Sequence, residues 1–316
     1  MKDWPTLVDI ERAAKQIAPY AHRTPVLRCS AIDDIVGAEL FFKCENFQKV
    51  GAFKFRGALN SVLSLDEKTA ARGVATHSSG NHGAAIALAA RMRGIAAQII
   101  MPKSANAAKR RAVRGYGGTI VDCGPTLADR DAALAETVAA SNAAIIHPFN
   151  DYRVVCGQGT AALELAREVS HLDAIVAPVG GGGLISGCAL AMHGLSSNIQ
   201  VVGCEPAAAD DAYRSFKSGT LASVLAPDTI ADGLRATSLG SLTYPIIQSR
   251  VSDIALASEA GIVCAMRLIW ERMKVVVEPS SAVALAGLME NELALGGKRL
   301  GVIISGGNVD LDDLPW

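Results

Sequence analysis

From residue 73 onward short apolar runs alternate with longer alanine-rich runs whose apolar positions recur at helical spacing. GVAT (73–76) is followed by NHGAAIALAARMRG (81–94), AAQIIMP (96–102) by AKRRAVRGYGG (108–118), and TIVDC (119–123) by ADRDAALAETVAASN (128–142). AAIIHP (143–148) precedes GQGTAALELAREV (157–169), and DAIVAPV (173–179) precedes GLISGCALAMHG (183–194). A βα repeat of this kind calls for parallel strands covered by helices on both faces. Late in the chain SEAGIVCAMRLIWERMK (258–274) and PSSAVALAGLMENEL (279–293) predict helices, and KRLGVIIS (298–305) a last buried strand.

Length turns this repeat into an expectation of two lobes. Single cores stop growing near about 250–300 residues, and the chain has 316. The reading is an α/β fold with two doubly wound, mostly parallel sheets and a cleft between them. No Pro/Ser-rich linker marks the boundary, so it follows the continuity of the βα units: a large lobe of residues 1–63 and 151–316, and a small lobe of residues 64–150.

Charge and cysteine usage narrow the partners. Thirty Lys and Arg against 31 Asp and Glu leave a net charge of -1, which provides no electrostatic footprint for nucleic acid or an anionic membrane. The seven cysteines (Cys29, Cys44, Cys123, Cys156, Cys188, Cys204, Cys264) are scattered and form no CxxC pair, against a disulfide framework or thiolate metal site. Met1–Asp9 has no apolar signal-like run, and no stretch is apolar enough to span a bilayer. A soluble, cytoplasmic protein acting on a small molecule is expected.

Four polar or glycine-rich stretches directly follow apolar strands: HSSGNHG (77–83), HPFND (147–151), VGGGGL (179–184) and SGGN (305–308). Ligands of open α/β sheets bind at the carboxyl ends of strands, so the four can converge on one cleft. Gly180–Gly183, before a helix starting near Leu184, suits an anion held by backbone N–H groups and a helix N-terminus. Tight helix–sheet packing is the other reading of that run. Neither the dinucleotide GxGxxG pattern nor GxxxxGK[ST] fits it.

Lys54 stands between Phe53 and Phe55, with Arg56 close behind. On an extended stretch its side chain would point away from both rings. Desolvation and the nearby Arg56 cation would then lower its pKa toward a nucleophilic amine; a solvated strand lysine is the bland alternative. In HSSGNHG, Asn81 suits a helix cap, which would leave the Ser78 and Ser79 hydroxyls free for a substrate carboxylate or a proton. Ser305 offers a neutral hydroxyl after the last strand, a hydrogen bond without charge for a ring nitrogen.

Taken together the chain resembles the fold-type-II pyridoxal phosphate enzymes of the serine racemase, threonine dehydratase and 3-hydroxyaspartate dehydratase branch. The landmarks run in order over nearly the whole chain: RTPV (23–26), GAFKFRGA (51–58), SSGNHG (78–83), HPFND, GQGT (157–160), GGGGL (180–184), EPAAADD (205–211), IADG (230–233), EPSSAV (278–283) and SGGNVDLDDLPW (305–316). The resemblance implies pyridoxal 5′-phosphate in the interdomain cleft, with Lys54 as its Schiff-base lysine and as the base that takes the Cα proton. It places Phe53 against the ring, Asn81 on the 3-hydroxyl, Gly180, Gly181, Gly182, Gly183 and Leu184 on the phosphate, and Ser305 at the ring nitrogen. Gly233 and Glu278 would line the ring edge. Ser78, Ser79 and His82 would surround the substrate carboxylate, Arg130 a distal carboxylate, and Ser79 would be a second catalytic group on the face opposite Lys54.

That resemblance implies β-elimination from a 3-hydroxy amino acid, foremost 3-hydroxyaspartate to oxaloacetate and ammonia, with serine or threonine as further substrates. The alternative is an amino acid racemase, which needs an acid and a base on opposite faces of Cα. A homodimer is the implied assembly. Glu205 and Asp211, with the Ala209 carbonyl, supply hard oxygens suited to Mg²⁺, or to Ca²⁺ or Mn²⁺, although an acidic turn capping a helix explains the same residues.

Overall fold

The computed structural model describes residues 4–78, 80–105, 107–291 and 293–316. Among the described residues ten strands form two sheets: β1 (Val26–Leu27), β2 (Glu39–Cys44), β3 (Val74–His77), β4 (Ala97–Pro102), β5 (Thr119–Cys123), β6 (Ala144–Ile145), β7 (Ala174–Pro178), β8 (Gln200–Pro206), β9 (Asp253–Ala257) and β10 (Arg299–Ile304). The larger sheet has the order β1-β2-β10-β7-β8-β9 and is parallel except for β1. The smaller has the order β5-β4-β3-β6 and is parallel throughout.

Alternate residues of the large sheet enter two separate cores. Phe42, Val176 and Val302 join the core containing Ile262, Met266 and Leu285. Phe41, Ile175 and Ile303 join the core containing Val155, Leu163 and Cys188. With both faces covered, strands such as β7 are wholly buried, which is why they appear as unbroken apolar runs. The expected α/β architecture is present. Among the described residues no helix is long and apolar enough to cross a membrane.

Lys54 departs from expectation in its local structure. It is the first residue of the helix Lys54–Leu63, not part of an extended stretch, and Phe53 before it is already in the helical region (φ -52, ψ -26). The cause lies downstream: Phe55, Ala58, Leu59 and Val62 share one apolar core, a spacing that only a helix can bury together. Phe53 packs instead on the core of the large sheet.

Close backbone packing locks this helix in place. A Cβ at Gly157 would lie 2.5 Å from Gly57 Cα, so the helix Tyr152–Glu168 approaches Lys54–Leu63 almost backbone to backbone. That helix starts before Gly157 because Asp151 caps it, accepting from the N–H of Arg153 (2.8 Å) and Val154 (3.2 Å). The helix beginning at Glu259 also differs from expectation. It ends at Leu268, and a wider π turn over Ile269–Met273 closes on Lys274 at φ 58.

Candidate active site

The four stretches leave adjacent strands, β3 beside β6 and β10 beside β7, and they meet. Lys54 Nζ donates to the Pro148 carbonyl (3.0 Å). Phe149 lies against the glycine run: a Cβ at Gly181 would fall 2.3 Å from its ring, and one at Gly183 3.0 Å from its Cα. Asn150 Nδ2 donates to Ser241 Oγ (3.1 Å), and its Oδ1 accepts from the Leu242 N–H (2.8 Å). The last stretch is zipped to the backbone just before Lys54. Phe53 N–H donates to Ser305 O (3.0 Å), Gly307 N–H to Gly51 O (2.9 Å), and Ala52 bridges Gly306.

Burial lowers the Lys54 pKa to about 8, opposed by the Glu278 carboxylate. The expected help from Arg56 is absent. Arg56 is fully buried and clamped by Glu45 (Nε–Oε2 2.7 Å, Nη2–Oε1 2.8 Å) and Glu164 (Nη1–Oε1 2.7 Å, Nη2–Oε2 2.8 Å), so its charge is neutralised within the core. Lys43, equally buried, completes that network with Glu164 and the Thr24 carbonyl.

Two imidazoles, His82 and His147, feel the lysine's charge, and a third, His77, packs on His147. His147 is held near pKa 4, mainly by burial and then by its neighbours His77 and Lys54. Its Nδ1 accepts from the Asn150 N–H (2.9 Å), and its ring meets those of Phe149 and His77 edge-on. Burial also depresses His77 and, strongly, His82. His82 is buried with Nε2 on the Ile146 carbonyl (3.3 Å), so it offers a neutral ring, not a cation.

Asn81 opens the helix Asn81–Arg93 without capping it; Gly80 occupies the cap position. Its amide is used otherwise, Nδ2 donating to Glu278 Oε1 (2.8 Å) and Oδ1 accepting from Asn308 Nδ2 (2.9 Å). Burial raises the Glu278 pKa to about 7, against the pull of Lys109, Asn81, the Asn308 N–H and Lys54. Gly233 N–H donates to Ser280 Oγ (2.9 Å), while the neighbouring Asp232 pairs with Lys109 from the helix Ala107–Gly115.

Ser78 is partly engaged in its turn, its Oγ accepting from the Gly80 N–H (3.3 Å). Ser79 lies outside the described residues. Ser305 is buried at the end of β10. Arg130, half-buried near the start of Leu127–Ser141, donates to the Pro125 carbonyl (3.1 Å), and its charge is felt by His77. His147, Phe149, Lys109, Asp232 and Asn308 were not foreseen as site residues. HPFND, SGGN and IADG contain four of them, whereas Lys109 carries no local signal.

Residues 17–306 match the family described as "Pyridoxal-phosphate dependent enzyme". The chain belongs to that family. It is 50% identical to the beta-hydroxyaspartate dehydratase of Paracoccus denitrificans over 99% of both chains. It is 44% identical to the L-threo-3-hydroxyaspartate ammonia-lyase of Saccharomyces cerevisiae, over 97% of this chain and 94% of that one. The crystal structure of serine racemase from Dictyostelium discoideum superposes with a TM-score of 0.92, at 47% identity, over 97% of this chain and 99% of that one. The expectation of a pyridoxal-phosphate-dependent enzyme with dehydratase and ammonia-lyase relatives is borne out.

The residues present fit the cofactor. Gly180–Gly183 form a cradle that side chains would fill: a Cβ at Gly180 would lie 3.2 Å from Leu234 Cα, and Gly182 has φ 87, open to glycine at little cost. The helix Gly183–Leu195 starts there, and its first N–H groups have no partner within the helix. The depressed Lys54 amine lies on the same cleft.

A second group of oxygens sits at the end of β8. Glu205 is buried, accepts from the N–H groups of Ala212 (3.0 Å) and Tyr213 (2.8 Å), and is raised to about 9 by burial and then by Asp211. Asp211 is raised to about 7, mainly by burial, and its Oδ2 is buried without a hydrogen-bond partner. Two repelling carboxylates with an unmatched oxygen suit a hard cation. Among the described residues no three His, Cys, Asp or Glu side chains are grouped so as to hold a metal ion, so backbone carbonyls such as that of Ala209 and water would have to complete its coordination.

Proposed function

We propose that the protein catalyses dehydration and deamination of a 3-hydroxy amino acid, with 3-hydroxyaspartate as the leading substrate. The identity of 50% over 99% of both chains with a beta-hydroxyaspartate dehydratase carries this reading. The depressed Lys54 amine beside the glycine cradle provides its chemistry.

Bound pyridoxal phosphate would supply an electron sink for the bond to Cα. The backbone of Gly180 to Leu184 would hold its phosphate, Phe53 would lie against the ring, Asn81 would donate to the 3-oxygen, and Gly233 and Glu278 would line the edge. Ser305 would give the ring nitrogen a hydrogen bond but no positive charge, which favours rapid elimination over reactions that need a long-lived carbanion. Ser78, Ser79 and neutral His82 would receive the α-carboxylate, and Arg130 a distal one. Lys54 Nζ would take the Cα proton. The β-hydroxyl leaves as water, and hydrolysis of the released enamine consumes one water, so 3-hydroxyaspartate gives oxaloacetate and ammonia.

The same reading assigns residues 1–63 and 151–316 to the cofactor-binding lobe and 64–150 to the lobe that closes on substrate. It assigns Mg²⁺, or Ca²⁺ or Mn²⁺, to Glu205, Asp211 and the Ala209 carbonyl. Superposition with a serine racemase favours a second activity, racemisation, in which Ser79 would act on the face opposite Lys54. One assay separates them: ammonia and oxo-acid release, with racemisation followed in parallel, against the four 3-hydroxyaspartate isomers, serine and threonine. Oxaloacetate formation from at least one hydroxyaspartate isomer, faster than turnover of serine or threonine, is expected. Racemisation without ammonia release would overturn the elimination reading. Ser79→Ala should suppress racemisation far more than elimination.

A further inference from the structure

We infer that Asn308 is a positioning residue that fixes which way the Asn81 amide faces, and hence presents an N–H donor to the cofactor's 3-oxygen. The inference rests on the reading above that Asn81 meets that oxygen.

The orientation follows from a chain of hydrogen bonds anchored at both ends. Asn308 Nδ2 donates to the backbone carbonyl of Val50 (2.7 Å), an atom that can only accept, which identifies this atom as the amide nitrogen. Its second hydrogen is directed to Asn81, at 2.9 Å, so the Asn81 atom on that side must be the oxygen. The Asn81 nitrogen then faces away from Asn308, and one of its hydrogens goes to Glu278 Oε1 at 2.8 Å. One N–H of Asn81 remains uncommitted in this chain. A flipped Asn81 would set two amide nitrogens against each other and an amide oxygen against the Glu278 carboxylate.

Asn308 is well placed for the task. Its oxygen packs on Gly51, where a Cβ would come within 2.6 Å, and its own N–H supports Glu278. Gly307 and Gly306 beside it are paired with Gly51 and Ala52. The residue therefore joins the segment leading into Lys54, the first residue of the Asn81–Arg93 helix, and the buried Glu278. The side chain is exposed, so its contribution is the choice of orientation more than the strength of one bond.

An Asn308→Asp side chain offers only acceptors when ionised and would draw the Asn81 nitrogen toward itself, turning the Asn81 oxygen toward the cofactor. Asn308→Ala merely releases the amide. The dissociation constant for pyridoxal phosphate, measured by equilibrium dialysis, should rise about tenfold in Asn308→Asp and about threefold in Asn308→Ala. The visible band of the bound cofactor should lose intensity to the near-ultraviolet in the same order. In an Asn81→Ala background Asn308→Asp should change the dissociation constant less than about twofold, a dependence that simple damage to the fold would not show. Equal factors in both backgrounds, or no change in the native one, would overturn the proposal. If Asn81→Ala by itself leaves binding and spectrum unchanged, the premise that Asn81 meets the cofactor has failed. Native protein that neither binds pyridoxal phosphate nor colours would refute the cofactor reading itself.

Discussion

Two desolvated charge sites lie at the carboxyl ends of strands in the large sheet, and burial drives them in opposite directions. At the ends of β7 and β10 the cleft depresses Lys54 to about 8, approaching a neutral, nucleophilic amine. At the end of β8 the same physics raises Glu205 to about 9 and Asp211 to about 7, leaving a carboxylate pair short of positive charge. The lysine amine meets the Pro148 carbonyl, the Phe53 ring at 5.2 Å and the charge of Glu278, which does not offset its burial, so it is primed to react. The carboxylates have backbone N–H donors and an unmatched oxygen, a donor set that suits a hard cation. Arg56 shows a third outcome: equally buried, but met on all sides by Glu45 and Glu164, it is inert.

Breaking each member of this comparison has a different expected size. Lys54→Ala should abolish the visible absorbance of the bound cofactor and reduce ammonia release by about 10³-fold or more, since both the imine-forming amine and the Cα base are lost. Retention of either signal would remove Lys54 from its role. Arg56→Leu strands the Glu45 carboxylate in the core and leaves Glu164 with Lys43 alone, and should cost about 3–5 kcal/mol in denaturant unfolding; a loss below about 1 kcal/mol would mean that the network is not a closed ion cluster.

The lysine's depressed pKa makes a smaller but sharper prediction. Only the neutral amine attacks an aldehyde, so the initial rate at which apoenzyme gains colour with pyridoxal phosphate should rise about tenfold per pH unit below about pH 8 and then level. A rate still climbing at pH 10 would show an ordinary solvated lysine. For the carboxylate pair, Mg²⁺ added to chelator-treated protein should raise the melting temperature by about 5 °C. Asp211→Asn should remove most of that rise; an unchanged melting temperature in the parent protein would leave the pair as a helix-capping turn.

Much of this arrangement was legible in the chain. Buried parallel strands announce themselves as apolar runs, and the polar or glycine-rich stretches after β3, β6, β7 and β10 marked the cleft because strand ends gather ligands. The structure of Lys54 was not legible, because Phe53-Lys54-Phe55 is shorter than a helical turn and mimics alternation. Only Ala58, Leu59 and Val62 reveal the period. Lys43, Glu45 and Glu164 were missed, and Arg56 was given to the lysine, because charged residues ordinarily signal solvent and their compensation is purely tertiary. The same holds for Asn81, whose amide serves Glu278 and Asn308 across the fold and not the cap its sequence position suggested.

The central claim is that one lysine, made reactive by its burial in the cleft, carries the cofactor. Borohydride reduction of the holoenzyme converts an imine to a stable amine, and peptide mass mapping then locates the attached pyridoxyl group. The account predicts a single labelled peptide containing Lys54. Label on Lys109 or any other lysine in place of Lys54, or none at all in a coloured preparation, would contradict it.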